Sequence, residues 1–217
     1  MFEDIYSKMC EHKNDAAAEK MAAYMKNKFP FLGVKTPQRK AVCKESFKQA
    51  KKTKVVDWEF VNSCWKNEYR EMQYVAVDYL ATMQKYLVPG DIDKIKPLAQ
   101  TKAWWDTIDG LAKVVGYMAL KHPKINDTLL QWSGDQDLWL RRIAIIHQLL
   151  RKENTDTLLL EKILAANLGS NEFFINKAIG WALRDYSKTD PQWVRRFISQ
   201  YQDQLASLSV KEASKYL

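Results

Sequence analysis

Met72, Trp105, Leu140 and Ile175 each open an apolar stripe of helical spacing, at successive intervals of 33, 35 and 35 residues. Val75, Ile108, Ile143 and Ala178 recur as the next inward position three residues on. An interval of that length is one helical hairpin, and a hairpin cannot bury its apolar face alone, so neighbours must stack. The expected fold is all-α: a curved α-solenoid of stacked antiparallel helical hairpins with a concave surface, the alternative being an irregular helical bundle. The rest of the chain agrees, with apolar residues at i, i+3, i+4 and i+7 almost throughout and no sustained period-2 alternation. Helices numbering about a dozen fit this pattern. Thr36-Pro37 reads as an N-cap followed by proline at the first helical position, and Asp57, Asp91 and Asn171 precede further helical segments. With seven Gly and six Pro in 217 residues, connections should be short, and no linker divides the chain, which reads as one domain over 1–217.

Several function classes are excluded at this stage. The longest uncharged apolar runs, residues 114–120 and 143–150, fall well short of the roughly 18 residues of a membrane span. Met1-Phe2-Glu3-Asp4 places acids where a signal peptide carries a basic region, so a cytoplasmic location is expected. Cys10, Cys43 and Cys64 are odd in number and form no CxxC pair. His12, His122 and His147 stand apart from Cys and carboxylate clusters, and no zinc spacing, P-loop, dinucleotide fingerprint or nucleophile elbow is present. No metal or cofactor is therefore expected.

The formal charge is +8, and residues 35–54 hold eight basic side chains against one acid, Glu45, which is +7 in a single segment. Lys40, Lys44, Lys48 and Lys51 share one helical face by their spacing. Such a row attracts polyanions or is simply a solvated face. A second pattern lies in residues 176–188, where Lys177, Trp181, Arg184 and Lys188 stand opposite the apolar stripe of Ile175, Ile179, Ala182, Leu183 and Tyr186. A tryptophan among cations suits a nucleic-acid sugar or base, or packs by cation–π contact on Arg184. Trp105 and Asp109 form a third pattern, one helical turn apart. An aromatic beside a carboxylate can stabilise a developing cation, whereas paired tryptophans also serve as core and an early Asp as a cap. Of the adjacent Arg141 and Arg142, one can face outward and grip a phosphate bidentately.

At Trp104-Trp105-Asp106-Thr107-Ile108-Asp109 and Lys177-Ala178-Ile179-Gly180-Trp181-Ala182-Leu183-Arg184-Asp185-Tyr186 the chain resembles the bacterial AlkD family of DNA alkylation-repair glycosylases. The likeness continues at Tyr24-Met25-Lys26-Asn27, at Phe31-Leu32-Gly33-Val34-Lys35-Thr36-Pro37-Gln38-Arg39 and at Leu138-Trp139-Leu140-Arg141-Arg142, nearly from end to end. The resemblance implies a HEAT-like α-solenoid whose concave groove binds duplex DNA and which releases N3- and N7-alkylated purines. It implies a bacterial cytosolic monomer, with alkylated duplex DNA as partner and neither membrane nor metal. Carried over by motif, Trp105, Asp109 and Trp181 match the catalytic cleft. Arg142 and Arg184 match positions that hold the DNA backbone, and Tyr24, Thr36 and Lys40 match further DNA contacts. With Arg39, Lys44, Lys48 and Lys177 from the basic segments, these make up the expected DNA-binding set. Lys40 stands where relatives can have Arg, and the chain stops soon after Leu208-Ser209-Val210-Lys211-Glu212-Ala213, short of some relatives' tails. An already cationic base leaves without a general acid, and no lysine nucleophile is implied, so the expected enzyme is a monofunctional glycosylase. The competing reading is a non-catalytic α-solenoid scaffold, which gives no reason for Trp105, Asp109, Trp181 and Arg184 to occur together.

Overall fold

A computed structural model describes residues 1–217 and contains thirteen α-helices and no strand. They are α1 (Phe2–Glu11), α2 (Asp15–Tyr24), α3 (Thr36–Thr53), α4 (Trp58–Lys66), α5 (Arg70–Met83), α6 (Ile92–Gln100) and α7 (Trp105–Lys121), followed by α8 (Ile125–Ser133), α9 (Leu138–Ile146), α10 (Thr157–Ala165), α11 (Phe173–Tyr186), α12 (Pro191–Gln200) and α13 (Ser207–Ala213). Short polar side chains begin many of them by accepting the orphan amides of the first turn: Asn14 for α2, Asp57 for α4, Asp137 for α9, Asp156 for α10 and Asp190 for α12. Two expected starts shift slightly. Lys35 is the N-cap of α3, so Thr36 is already helical, and Glu172 rather than Asn171 precedes α11. Asp91 precedes α6 as expected, with its side chain accepting from the Val88 amide and holding Lys94.

The helices gather into two units, Met1–Leu87 and Val88–Leu217. In the first, α4 and α5 form a hairpin, α3 lies on α5, and α1 touches α3 and α4. Phe47, Phe60 and Tyr79 meet edge to face in its core. The loop leading into α3 is fixed by buried Glu71, whose carboxylate accepts the amides of Leu32, Gly33 and Val34. Gly33 has φ +85°, and a Cβ there would stand 2.1 Å from the Asn14 carbonyl oxygen, so only glycine fits.

In the second unit α7, α9, α11 and α13 touch in succession, with α6 and α8 against α7 and α9, α10 against α8 and α9, and α12 against α11. The repeat is visible in the bonds themselves. Arg151 donates to the Gly116 carbonyl, the Leu150 amide to Asp185 and Lys177 to Glu212, each across 35 residues, while Arg142 reaches Asp109 across 33. Ile108, Leu140, Ile143, Ile175 and Ala178 are fully buried, as the stripe register requires. Trp105 departs from that register. It is only partly buried, and the neighbouring Thr107 and Ile108 take the inward positions at the start of α7. No helix is long and apolar enough to cross a membrane.

Candidate active site

Asp109 lies one turn into α7 beyond Trp105, so both side chains occupy the same side of that helix. Its carboxylate is gripped bidentately by Arg142 of α9, with Nε at 2.8 Å from Oδ1 and Nη2 at 3.0 Å from Oδ2. The remaining terminal nitrogen of Arg142 donates to the Phe174 carbonyl of α11 at 2.7 Å. One guanidinium thus ties three successive helices together. The pair is unequally covered: the Arg142 side chain is 2% exposed, the Asp109 side chain 22%. A buried cation and hydrogen bonds to both oxygens hold the carboxylate in place, while its side chain stays partly exposed.

Trp181 of α11 completes the arrangement, with the Arg142 guanidinium 5.3 Å from its ring centroid and that of Arg184 at 5.9 Å. Both fall within about 6 Å, the range of cation–π attraction. Trp181 is therefore a partly buried ring that takes both guanidinium groups, and it reaches Asp109 through Arg142. Beside this cluster the ring of Trp104 packs on Trp139 and Phe174, and Trp139 on Phe174, with centroids 5.0 to 5.7 Å apart. These aromatics wall the N-terminal ends of α7, α9 and α11.

Two of the expected DNA contacts, Arg142 and Arg39, are turned inward. Arg142 is 1% exposed, and the bidentate partner it holds is Asp109 rather than a phosphate. Its neighbour Arg141 is also tied inward, to Asn167 at 2.8 Å. Arg39 is 7% exposed, with Nε on Asp78 at 3.0 Å and its guanidinium over Tyr74, so it belongs to the interior of the first unit. In both cases a desolvated arginine is satisfied by a carboxylate on a neighbouring helix.

The other expected basic residues remain at the surface. Tyr24, Thr36, Lys40, Lys44 and Lys48 are exposed. Lys40, Lys44, Lys48 and Lys51 line an open groove of about 520 Å³ with Cys43, Phe47, Asp78, Ala81 and Thr82, and Lys48 lies 3.8 Å from Glu45. Lys177 and Arg184 are partly exposed, and both bind Glu212 of α13, a residue that helix-by-helix reading missed. Hydrogen bonds from Lys177 and then Lys215 lower the Glu212 pKa to about 2. The contribution of these pairs to stability is complete above the ordinary carboxylate range and is lost as pH falls through that value. No three His, Cys, Asp or Glu side chains gather where they could hold a metal ion.

The DNA alkylation repair enzyme family matches residues 5–217. No curated protein matches the chain. Among solved structures, a predicted DNA alkylation repair enzyme from Enterococcus faecalis is 36% identical, with a TM-score of 0.87 over 94% of this chain and 96% of that one. Family and structure agree over nearly the whole length, as the AlkD-like motifs anticipated: this chain belongs to the family of DNA alkylation repair enzymes, and its role lies in the repair of alkylated DNA.

Proposed function

We propose that the chain is a monofunctional DNA glycosylase, which hydrolyses the N-glycosidic bond of N3- and N7-alkylated purines in duplex DNA and leaves an abasic site. The observation that carries this reading is the partly exposed Asp109 carboxylate, clamped by buried Arg142, whose guanidinium also lies over Trp181. Alkylation at N3 or N7 makes the purine a cation, so it departs as a neutral base and needs no general acid. The positive charge then develops on the deoxyribose. Asp109 opposes that charge and orients the water that attacks the anomeric carbon, while the faces of Trp105 and Trp181 border the sugar. Prior fixation by Arg142 means that little reorganisation is needed as the charge appears. Lys177, one turn before Trp181, donates to Glu212 at 2.8 Å and is thereby tied toward α13 rather than presented to the sugar as a nucleophile. That supports hydrolysis over Schiff-base chemistry.

The monofunctional assignment is tested with end-labelled duplex containing one N7-methylguanine. The labelled strand should stay intact after base loss and break only on treatment with alkali. Strand cleavage by the protein itself would refute it.

Binding to undamaged duplex should be largely electrostatic, with exposed lysines of α3 meeting phosphates. Replacing Lys44 and Lys48 together by Ala should reduce the slope of log K against log salt by up to about 1.8, the value for two lost phosphate contacts. An unchanged slope would mean that this face is merely solvated.

Trp181→Ala separates site from core. Because the ring is partly exposed and packed by two guanidinium groups, its loss should cost about 1–2 kcal/mol, below the roughly 3–5 kcal/mol of a buried Trp. Excision by the folded variant should fall at least about tenfold, since a sugar-facing surface is gone. Normal specific activity with a large melting shift would return Trp181 to a packing role.

A further inference from the structure

Glu212 is not used by the base-release chemistry, yet it is the most heavily engaged carboxylate of the second unit. It is 5% exposed and gathers three cations: Lys177 on Oε1 at 2.8 Å, Arg184 on Oε2 at 2.6 Å, and Lys215 on the two oxygens at 2.9 and 3.0 Å. Lys177 and Arg184 are seven residues apart on α11, on either side of Trp181 in the sequence. One carboxylate therefore ties together the two cations that bracket the tryptophan. Packing fixes the tie. A Cβ at Gly180 would stand 2.5 Å from Glu212 Cβ and 3.0 Å from the Ser209 carbonyl oxygen, so α13 lies directly against α11 beside Trp181. The Ser209 hydroxyl also donates to the Asn176 carbonyl at 2.8 Å. Three cations against one carboxylate leave two positive charges in excess, so the cluster still attracts an anion.

The position also follows the repeat. Asp109, Arg142, Lys177 and Glu212 succeed one another at 33, 35 and 35 residues, on α7, α9, α11 and α13. Asp109 and Arg142 form the first pair of this row, and Lys177 and Glu212 the last.

We propose that Glu212 is a positioning residue for excision: from α13 it holds Lys177 and Arg184 at a fixed separation about Trp181 and brings Lys215 to the same phosphate-binding face. The proposal rests on the glycosylase reading of the Asp109 cluster. A loosely held cation still attracts phosphate, so affinity tolerates its movement, whereas the register of the sugar against Asp109 does not. Glu212 thus governs rate more than binding.

The test measures single-turnover base release from N7-methylguanine duplex at saturating protein, and affinity for undamaged duplex. The proteins are wild type, Glu212→Gln, Glu212→Asp, Arg184→Ala, and Glu212→Gln combined with Arg184→Ala. Glu212→Gln should release base about tenfold more slowly, as displaced contacts lose orientation. It should bind undamaged duplex as tightly as wild type or more tightly, because one negative charge has left a basic face. Glu212→Asp keeps the charge but is a methylene too short to reach both α11 cations, and should also be slow. In the Arg184→Ala background the further loss caused by Glu212→Gln should shrink below about threefold, since residues acting through one another are not additive.

Wild-type release by Glu212→Gln overturns the proposal. So does a rate loss matched by an equal loss of affinity, a full additional loss in the Arg184→Ala background, or a lower melting temperature with normal specific activity in the folded fraction. If Glu212→Gln fails to fold, Glu212→Asp decides, and a wild-type rate there overturns it. Absence of base release by wild type removes the glycosylase reading and the proposal together; an active wild type with an equally active Glu212→Gln removes only the positioning role.

Discussion

Asp109→Asn should lower base release by about 10² or more while duplex affinity changes little, the pattern of an electrostatic contribution made chiefly in the transition state. The substitution preserves size, so the sugar still enters the same space, but the charge opposite the developing oxocarbenium is gone. A second effect comes from the other side of the residue. Arg142 is 1% exposed and spends two of its hydrogen bonds on this carboxylate. With an amide in its place, one of those donors faces an NH2 group, and a buried cation loses its counter-charge. The expected stability loss is about 1–3 kcal/mol, the cost of a buried group left unsatisfied. Rates must therefore be compared per folded molecule, by pairing single-turnover kinetics with a melting curve of the same sample. A variant that melts lower but turns over at the wild-type rate would reduce Asp109 to a structural partner of Arg142.

A large effect on stability should come from a site that touches no substrate. Gly116 sits two turns beyond Asp109 on α7, where a Cβ would be 2.1 Å from the carbonyl oxygen of His147 at the end of α9. Backbone cannot rotate aside as a side chain does, so Gly116→Ala must push α7 and α9 apart. The expected cost is about 3 kcal/mol, the upper range of overpacking. That corresponds to a melting temperature lower by about 6–12 °C for a chain of this size. The same displacement stretches the 2.8 Å Asp109–Arg142 contact, so folded Gly116→Ala protein should also excise more slowly. Differential scanning calorimetry and the excision assay together check both halves. Near-wild-type melting would show that the α7–α9 contact can shift without penalty.

The helical stack was legible because a 33- to 35-residue spacing of buried residues leaves few other ways to bury every hairpin. Ile108, Ile143 and Ala178 sit where that spacing puts them. The same spacing also bears on the site. Asp109, Arg142, Lys177 and Glu212 share one register, and stacked repeats bring equal positions of neighbouring helices together. Motif likeness alone sets Arg142 against the DNA backbone, since nothing within α9 neutralises it. Its counter-ion lies 33 residues earlier. Glu212 is hard to read from its own helix for a related reason: α13 is seven residues long, too short to show an amphipathic pattern, and only the count of 35 from Lys177 points to it. Arg39 followed no such rule. Its partner Asp78 is 39 residues away on α5, and no periodicity in the sequence links the two. Trp105 was drawn into the core stripe because an indole is apolar, although its place in the first turn of α7 leaves it partly open.

The central claim is that the carboxylate held by Arg142 breaks a glycosidic bond. The most direct measurement incubates wild-type protein with duplex DNA carrying N7-methylguanine or N3-methyladenine and quantifies free modified base by chromatography, beside Asp109→Asn and a protein-free control that sets the rate of spontaneous depurination. The account predicts release well above the control by wild type and a loss of about 10² in Asp109→Asn. Release at the control rate by wild type, with the DNA demonstrably bound, would contradict it.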